Sequence, residues 1–386
     1  MVASVIAPPA TVPSTPTIAP PRVAAIDAAR AVAALMMVQG HTVDALLDVS
    51  YRETMAFHLW TVVRGLTPSM FIFLAGCALG FTAFRLGSSA APVRWSKRLG
   101  RSLLLLVLGY AMHFPAENFA KLWIIAPQEW RGFFAVDVLQ CIGVMLAALS
   151  ALAVAARARG RFIALSLAFC AAIVVLSPYM WNQAWPGLPS PLAAYLTGAA
   201  GSLFPLFPWC AYGALGAAVG AALTIRRSAA AWVALAATGS LLLLTGVAAR
   251  RVGWDGWAAG ATAPISPSQF LLQAGWVSMI LGTIALAIGR VSCAARSRLV
   301  ESIGRESLLI YAVHICLVYG SPWGGGLRQW LGPTLSPAAA AGCVVLVLVS
   351  VGGLATAWHR LKQTQPTLAV RLRWATALML GLILLA

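Results

Sequence analysis

Charge is scarce in this chain. Only 10% of its 386 residues are Asp, Glu, Lys or Arg, and just 10 are acidic. A soluble domain carries about 25% charged residues. With 60% hydrophobic residues, the composition excludes a soluble enzyme and points to a polytopic membrane protein built of helices. Other absences narrow the chemistry. There is no Walker loop, no G-x-G-x-x-G turn and no H-E-x-x-H pair, so neither nucleotide hydrolysis nor a catalytic metal is expected. No C-x-x-C spacing occurs among the seven cysteines, Cys77, Cys141, Cys170, Cys210, Cys293, Cys316 and Cys343. Their odd number and apolar settings make them small membrane-buried hydrophobes rather than a disulfide framework. Cys293 differs in lying in a basic loop. No internal repeat is evident.

The net charge of +17 resembles a nucleic-acid signature only in its size. The basic residues fall in short loops between apolar runs, without a basic stripe interleaved with aromatics, so no nucleic acid is expected as a partner. Residues 1–21 are rich in Pro, Ala, Thr and Ser, with no charge before Arg22. They lack the basic start and apolar centre of a secretory signal and read as a disordered cytoplasmic tail. Residues 22–386 read as one transmembrane domain.

Apolar runs near spanning length occur at 23–46, 57–84, 98–114, 133–156, 161–178, 203–224, 229–249, 268–289, 303–320, 337–358 and 370–386. Nineteen Lys or Arg residues lie in one alternating set of loops and six in the other. That alternation predicts an all-α bundle of about eleven transmembrane helices, with a cytoplasmic N-terminus and His41 at the outer side. The loops of the poorer set carry Trp123, Trp130, Trp181, Trp185, Trp254, Trp257, Trp323 and Trp330. These fit an interfacial aromatic belt, or a sugar-binding face on which Trp rings stack.

Arg30 and His41 share the first helix. At 1.5 Å rise per residue they stand about 16 Å apart, roughly half of the hydrocarbon thickness. A charge inside a lipid-spanning segment is costly unless something uses it. Asp27 lies three residues before Arg30 and can seat the helix by pairing with it. Asp44, one turn beyond His41, is placed to orient the imidazole as in a general-base pair, and Asp48 follows. Arg64 in the second run can pair with Asp44 or Asp48, or line an aqueous cavity. Pro68 can kink that run. Arg98 and Arg101 form an R-x-x-R fork suited to phosphate or to anchoring at the cytoplasmic surface. Asp137 and Gln140 share a face, either as a polar site or as helix–helix glue. Tyr311 and His314 form a further polar pair in the ninth run.

Together these segments resemble the transmembrane acyltransferase superfamily over most of residues 22–360. Arg30-x10-His41, Arg98-Leu-Gly-Arg101, Phe71-Ile-Phe-Leu-Ala-Gly76 and Ser307-Leu-Leu-Ile-Tyr-Ala-Val-His314 are similar to motifs of acyltransferase family three. Ile26-Asp27-Ala-Ala-Arg30, Val138-Leu-Gln-Cys-Ile-Gly143 and Pro205-Leu-Phe-Pro-Trp-Cys-Ala-Tyr-Gly213 are closer to the heparan-α-glucosaminide N-acetyltransferase-like family. The chain departs from the first branch at Ala31, where Gly is usual, and in lacking W-x-L-x-x-E. It departs from the second at Cys141, where Arg is usual.

The resemblance implies transfer of an acetyl or other acyl group from cytoplasmic acyl-coenzyme A to a hydroxyl or amine of an extracytoplasmic glycan or glycolipid, as in cell-envelope polysaccharide modification. It implies Arg30, Arg98 and Arg101 as coenzyme-binding residues and His41 with Asp44 as catalytic residues. Asp27, Arg64, Asp137, Gln140 and His314 are candidates for substrate contacts. An activated thioester needs a base, an oriented acceptor and oxyanion stabilisation, but no metal. A homo-oligomer is left open. The competing reading is a transporter or exporter of an anionic molecule, although such proteins tend to show two related halves.

Overall fold

The computed structural model describes residues 23–85, 87, 95–183, 185–257, 266–290 and 298–385. The expected tail at 1–21, together with Arg22, Arg94, Cys293 and Arg296, lies outside the described residues.

The chain is a helical bundle. It begins with α1 (Ala24–Leu46), a short α2 (Met55–Arg64) that runs into α3 (Leu66–Phe84), and α4 (Trp95–Met112). A surface turn of 3₁₀ helix at Phe119–Ile124 and the short α5 (Pro127–Phe134) lead to α6 (Val138–Ala156) and α7 (Arg159–Asn182). After the single-turn α8 (Ser190–Ala193) come α9 (Leu206–Ala222), α10 (Ala229–Arg251) and α11 (Pro267–Arg290). The last part holds α12 (Arg298–Arg305), α13 (Ser307–Tyr319), α14 (Leu327–Leu331), α15 (Pro337–Thr364) and α16 (Pro366–Leu385). Sheet structure among the described residues is confined to the two-residue hairpin Gly320–Ser321 with Gly324–Gly325.

Seven helices among the described residues are long and apolar enough to cross a membrane, and eight if α12 and α13 form one span bent by 74°. Three of the eleven expected runs fall short for identifiable reasons. α1 carries Asp27, Arg30 and Asp44; α4 carries Lys97, Arg98 and Arg101; α9 has 17 residues. In α1 the charges turn into the bundle, with Asp27 buried and Arg30 and Asp44 half-buried, which is where a functional membrane protein puts them; in α4, Lys97 and Arg101 are exposed.

Small residues allow the central helices to approach closely. A Cβ on Gly76 of α3 would stand 1.9 Å from the Gly213 carbonyl oxygen of α9, and one on Gly220 would stand 1.9 Å from that of Cys77. Lipid supplies no hydrophobic drive for helices to associate, so such backbone approach and buried hydrogen bonds do the work. Ser69 Oγ and Tyr212 Oη both donate to Gln273 Oε1, at 2.6 and 2.8 Å, tying α3, α9 and α11 together. The main apolar core forms around α3, α6, α9 and α11. A second cluster joins α1 to α13 and α15.

Two devices fix α1. At its end, Leu335 N–H donates to the Leu46 carbonyl at 2.9 Å, and Asp48 N–H donates to the Leu335 carbonyl at 3.0 Å. At its start, α12 crosses so closely that a Cβ on Gly304 would stand 2.0 Å from the Asp27 carbonyl oxygen. The chain then bends at Glu306, which is buried and draws His359 (3.1 Å) and Lys362 from α15. The bend turns Arg305 toward α1.

Gly76→Val should destabilise the protein by about 3 kcal/mol, the upper range for overpacking. Gly100→Val, where nothing lies within 4 Å, serves as the control. Thermal unfolding in detergent should show a large fall for the first and little for the second. Equal behaviour would contradict the close α3–α9 crossing.

Candidate functional site

A cavity of about 530 Å³ runs through the bundle beside α1. Its walls include Arg30, Arg101 and Arg305 at one end, and His41, Asp44, Arg64 and Tyr319 at the other. Phe71, Leu105, Ile142 and Leu308 line the apolar stretch, with Asp137 and Tyr311 on one side. The Arg30 and His41 positions on one helix set its length, about 16 Å by helical rise.

At the arginine end, three helices each contribute one guanidinium. Arg30 Nη2 donates to the Leu74 carbonyl at 3.4 Å. Asp27 stands 3.9 Å from both Arg30 and Arg305, and Arg305 also pairs with Glu301. Asp27 is buried and does not line the cavity. Its expected pairing with Arg30 is present, extended by Arg305, which is not among the expected site residues. The signal available was its position just before the Ser307–His314 segment.

The R-x-x-R pair divides. Arg101 reaches the cavity and Arg98 does not. Three residues correspond to about 300° of helix rotation, so Arg98 sits one turn nearer the helix start and about 60° around. Its Nη1 is buried without a hydrogen-bond partner. Such a group is uncommon in a folded protein and marks a place where an acceptor belongs.

At the histidine end, Asp44 departs from its expected role. Its carboxylate is held by Arg64, not by His41. The turn after α1 returns the chain so that Arg64 lies against Gly40 and Asp44, with its guanidinium 4.9 Å over the Trp60 ring. A guanidinium outcompetes a neutral imidazole for a carboxylate. Asp48 lies beyond the helix, where the Ser50 hydroxyl and N–H hold its carboxyl below the usual range.

His41 instead meets two rings edge-on, His314 at 5.2 Å and Tyr319 at 5.7 Å between centroids. Its Nδ1 is buried with no hydrogen-bond partner. His314 is fully buried behind it and is absent from the cavity wall; Nδ1 lies 2.8 Å from the Ile310 carbonyl and Nε2 has no partner. His314 thus packs edge-on against His41 and does not line the cavity.

Asp137 and Gln140 also divide. Asp137 caps α6 by accepting from Val138 N–H at 2.7 Å, and it takes the Tyr311 hydroxyl at 2.9 Å. His113 Nε2 stands 3.7 Å from the same carboxylate. Gln140 packs against Gly109, away from the cavity, with both amide atoms buried and unpartnered. The helix begins at Val138, so the two residues do not share its face. Tyr319 and His113 had no distinguishing sequence signal: one ends an apolar helix and the other stands alone in a turn. Among the described residues, no three His, Cys, Asp or Glu side chains are grouped to hold a metal ion.

Residues 22–251 match the family described as heparan-alpha-glucosaminide N-acetyltransferase, catalytic. The match covers well over half of the chain and includes α1 to α10. The α13 residues that complete the cavity lie beyond it. No curated protein matches the chain.

Breaking the Asp44–Arg64 pair on one side should leave a half-buried charge unmatched. Asp44→Asn should destabilise the protein by about 2 kcal/mol, between the ranges for exposed and buried pairs. Adding Arg64→Gln should recover most of that loss. A double-mutant cycle by denaturation in micelles measures it, and additive losses would contradict the pairing.

Proposed function

The chain belongs to the heparan-alpha-glucosaminide N-acetyltransferase catalytic family, and on that premise we propose that it moves an acetyl group from acetyl-coenzyme A to a hydroxyl or amine of a glycan or glycolipid across the membrane. The observation that carries this reading is the single cavity joining Arg30, Arg101 and Arg305 to His41. The arginine end suits the phosphates of coenzyme A, since guanidinium forks bind phosphate with two parallel hydrogen bonds. The apolar middle suits the pantetheine arm. The thioester then arrives beside His41, a ring nitrogen of which supplies a base or a transient acyl carrier. Arg64, already neutralised by Asp44, flanks the position where the carbonyl oxygen gains charge, as electrostatic stabilisation of the tetrahedral intermediate requires.

The proposed topology has eleven spans, α1, α4 and α9 among them: α1 keeps its charges toward the bundle, those of α4 sit in its first two turns, and the short α9 packs between α3 and α7. The N-terminus is then cytoplasmic, the arginine end faces the cytoplasm of the inner membrane, and His41 faces outward. This sidedness puts the coenzyme where it is made and the acceptor where envelope glycans lie. A transporter would share the cavity, but it would have no need of a histidine held between two aromatic rings at the far end.

His41→Ala should abolish acetyl transfer while acetyl-coenzyme A still binds. Arg101→Ala should weaken coenzyme binding by about 10-fold or more, on the scale of a charged hydrogen bond, and more than Arg98→Ala does. Titration of the purified variants and a labelled-acetyl transfer assay provide the measurements. Retained transfer by His41→Ala, or unchanged affinity in Arg101→Ala, would refute the corresponding role.

A further inference from the structure

Of the residues lining the main cavity, three are exposed: Arg101 at the arginine end, and Thr61 and Leu203 at the histidine end. Arg101 marks the coenzyme's way in. Thr61 and Leu203 mark a second opening, at the end where His41 lies, that no step proposed above uses. Behind them, Gly65, Pro68 and Phe204 are half-buried and line the same cavity.

Both lips of this opening are apolar. One is α2, which runs on into α3; the two together, Met55–Phe84, count among the helices long and apolar enough to cross a membrane. No residue of α2 is buried, and its Leu59, Val62 and Val63 are exposed. Thr61 spends its hydroxyl on the Phe57 carbonyl, at 2.9 Å. On the other lip, Leu203 is 70% exposed. The chain on either side of it is pinned just ahead of α6: Ser202 Oγ accepts from Val136 N–H at 2.9 Å, and Phe204 N–H donates to the Val136 carbonyl at 3.0 Å. Leu203 is thus an apolar projection on fixed backbone.

Depth and polarity decide what such an opening admits. Thr61 lies about 34 Å by helical rise from Phe84, the far end of the same span, and the hydrocarbon core is about 30 Å thick. It therefore stands where apolar chains give way to headgroups. A second cavity, of about 640 Å³, offers a different route: it shares Tyr319 with the first and carries Glu117, Lys121 and Glu129 on its walls. Water and free solutes have that polar way in. An opening with apolar lips at headgroup depth, leading to His41, Asp44 and Arg64, exposes those groups to hydrocarbon unless a polar head fills it.

The chemistry that fits is amphiphilic. Resting on the acetyltransferase reading, we infer that the acceptor is a glycolipid of the adjoining leaflet, not a free glycan, and that it enters sideways between Thr61 and Leu203. Its sugar head meets Tyr319 and the Asp44–Arg64 pair, all on the cavity wall. Its hydrocarbon chain stays in the bilayer against Leu59, Val62 and Leu203. The chain holds the acceptor at the entrance, so the bilayer supplies both its effective concentration and its orientation.

The test uses the full-length protein in proteoliposomes with acetyl-coenzyme A and two acceptor probes, dodecyl β-glucosaminide and methyl β-glucosaminide, which share one sugar and differ in the chain. The bilayer concentrates the dodecyl probe whatever its route, so the informative quantity is the dodecyl-to-methyl ratio of kcat/KM in each variant against wild type. Leu203→Trp should lower that ratio about 10-fold, the scale of a steric change in a binding pocket, and Thr61→Phe should do so from the other lip. A dodecyl glucosaminide with a diazirine in its chain should label residues 55–68, and excess dodecyl probe, but not methyl probe, should suppress that label. An unchanged ratio in both variants, an equal loss with both probes, or labelling that the dodecyl probe does not suppress would overturn the entrance while the acetyltransferase reading stands. Cross-links between two copies through α2 that shut the label out would give this face to a dimer and overturn the entrance too. Suppressible labelling without acetyl transfer to either probe would instead overturn the acetyltransferase reading, and with it the lipid's role as acceptor.

Discussion

Arg30 lies inside a helix that packs against α3, α11, α12, α13 and α15, among others. A guanidinium there must be matched by fixed polar groups or by a cavity, and the bundle supplies both. The Leu74 carbonyl and the Asp27 carboxylate stand against it, and Arg305 and Arg101 share its cavity. Meeting that requirement accounts for features that otherwise look unrelated. α12 must cross α1 closely, which requires Gly304. The chain must bend at Glu306 to aim Arg305, and α15 must bring His359 and Lys362 to match the buried carboxylate that the bend leaves. The concentration of positive charge is the natural seat for a polyanion, and the apolar passage leading from it ends at His41.

The histidine end answers a different constraint. Arg64 occupies Asp44, so the imidazole of His41 is left among rings instead of being held by a carboxylate. The ring lines the cavity while its Nδ1 is buried and without a hydrogen-bond partner. Those properties suit a group that meets an activated thioester, where exclusion of water prevents simple hydrolysis. Asp137, Tyr311 and His113 form a separate polar line across the wall.

Much of this was legible in the residues. The apolar runs located the helices, because a span must be long and apolar and loops must carry the charges. The distance from Arg30 to His41 was fixed by helical rise once both were placed on one helix. Pairing was legible in part: Asp27 with Arg30 and Arg64 with Asp44 were readable and are present. Spacing of three or four residues also proposed Asp44 for His41 and Arg98 beside Arg101, and spacing alone does not show which partner prevails. Arg64 arrives from α2 and takes Asp44, and a 60° rotation turns Arg98 away. Asp137 and Gln140 were separated by a helix start that lies between them. Tyr319 and His113 depend on contacts from distant parts of the chain, and short-range pattern contains no sign of them; Arg305 is marked only by its place just before the Ser307–His314 segment.

The central claim is that one passage connects a phosphate-binding arginine end to His41. A structure of the protein determined with a non-hydrolysable acetyl-coenzyme A analogue tests it most directly. The account predicts phosphates against Arg101, Arg30 and Arg305, the pantetheine arm along Phe71 and Leu105, and the acyl carbon within reach of a His41 ring nitrogen. An analogue bound elsewhere, or bound with its acyl carbon remote from His41, would contradict it.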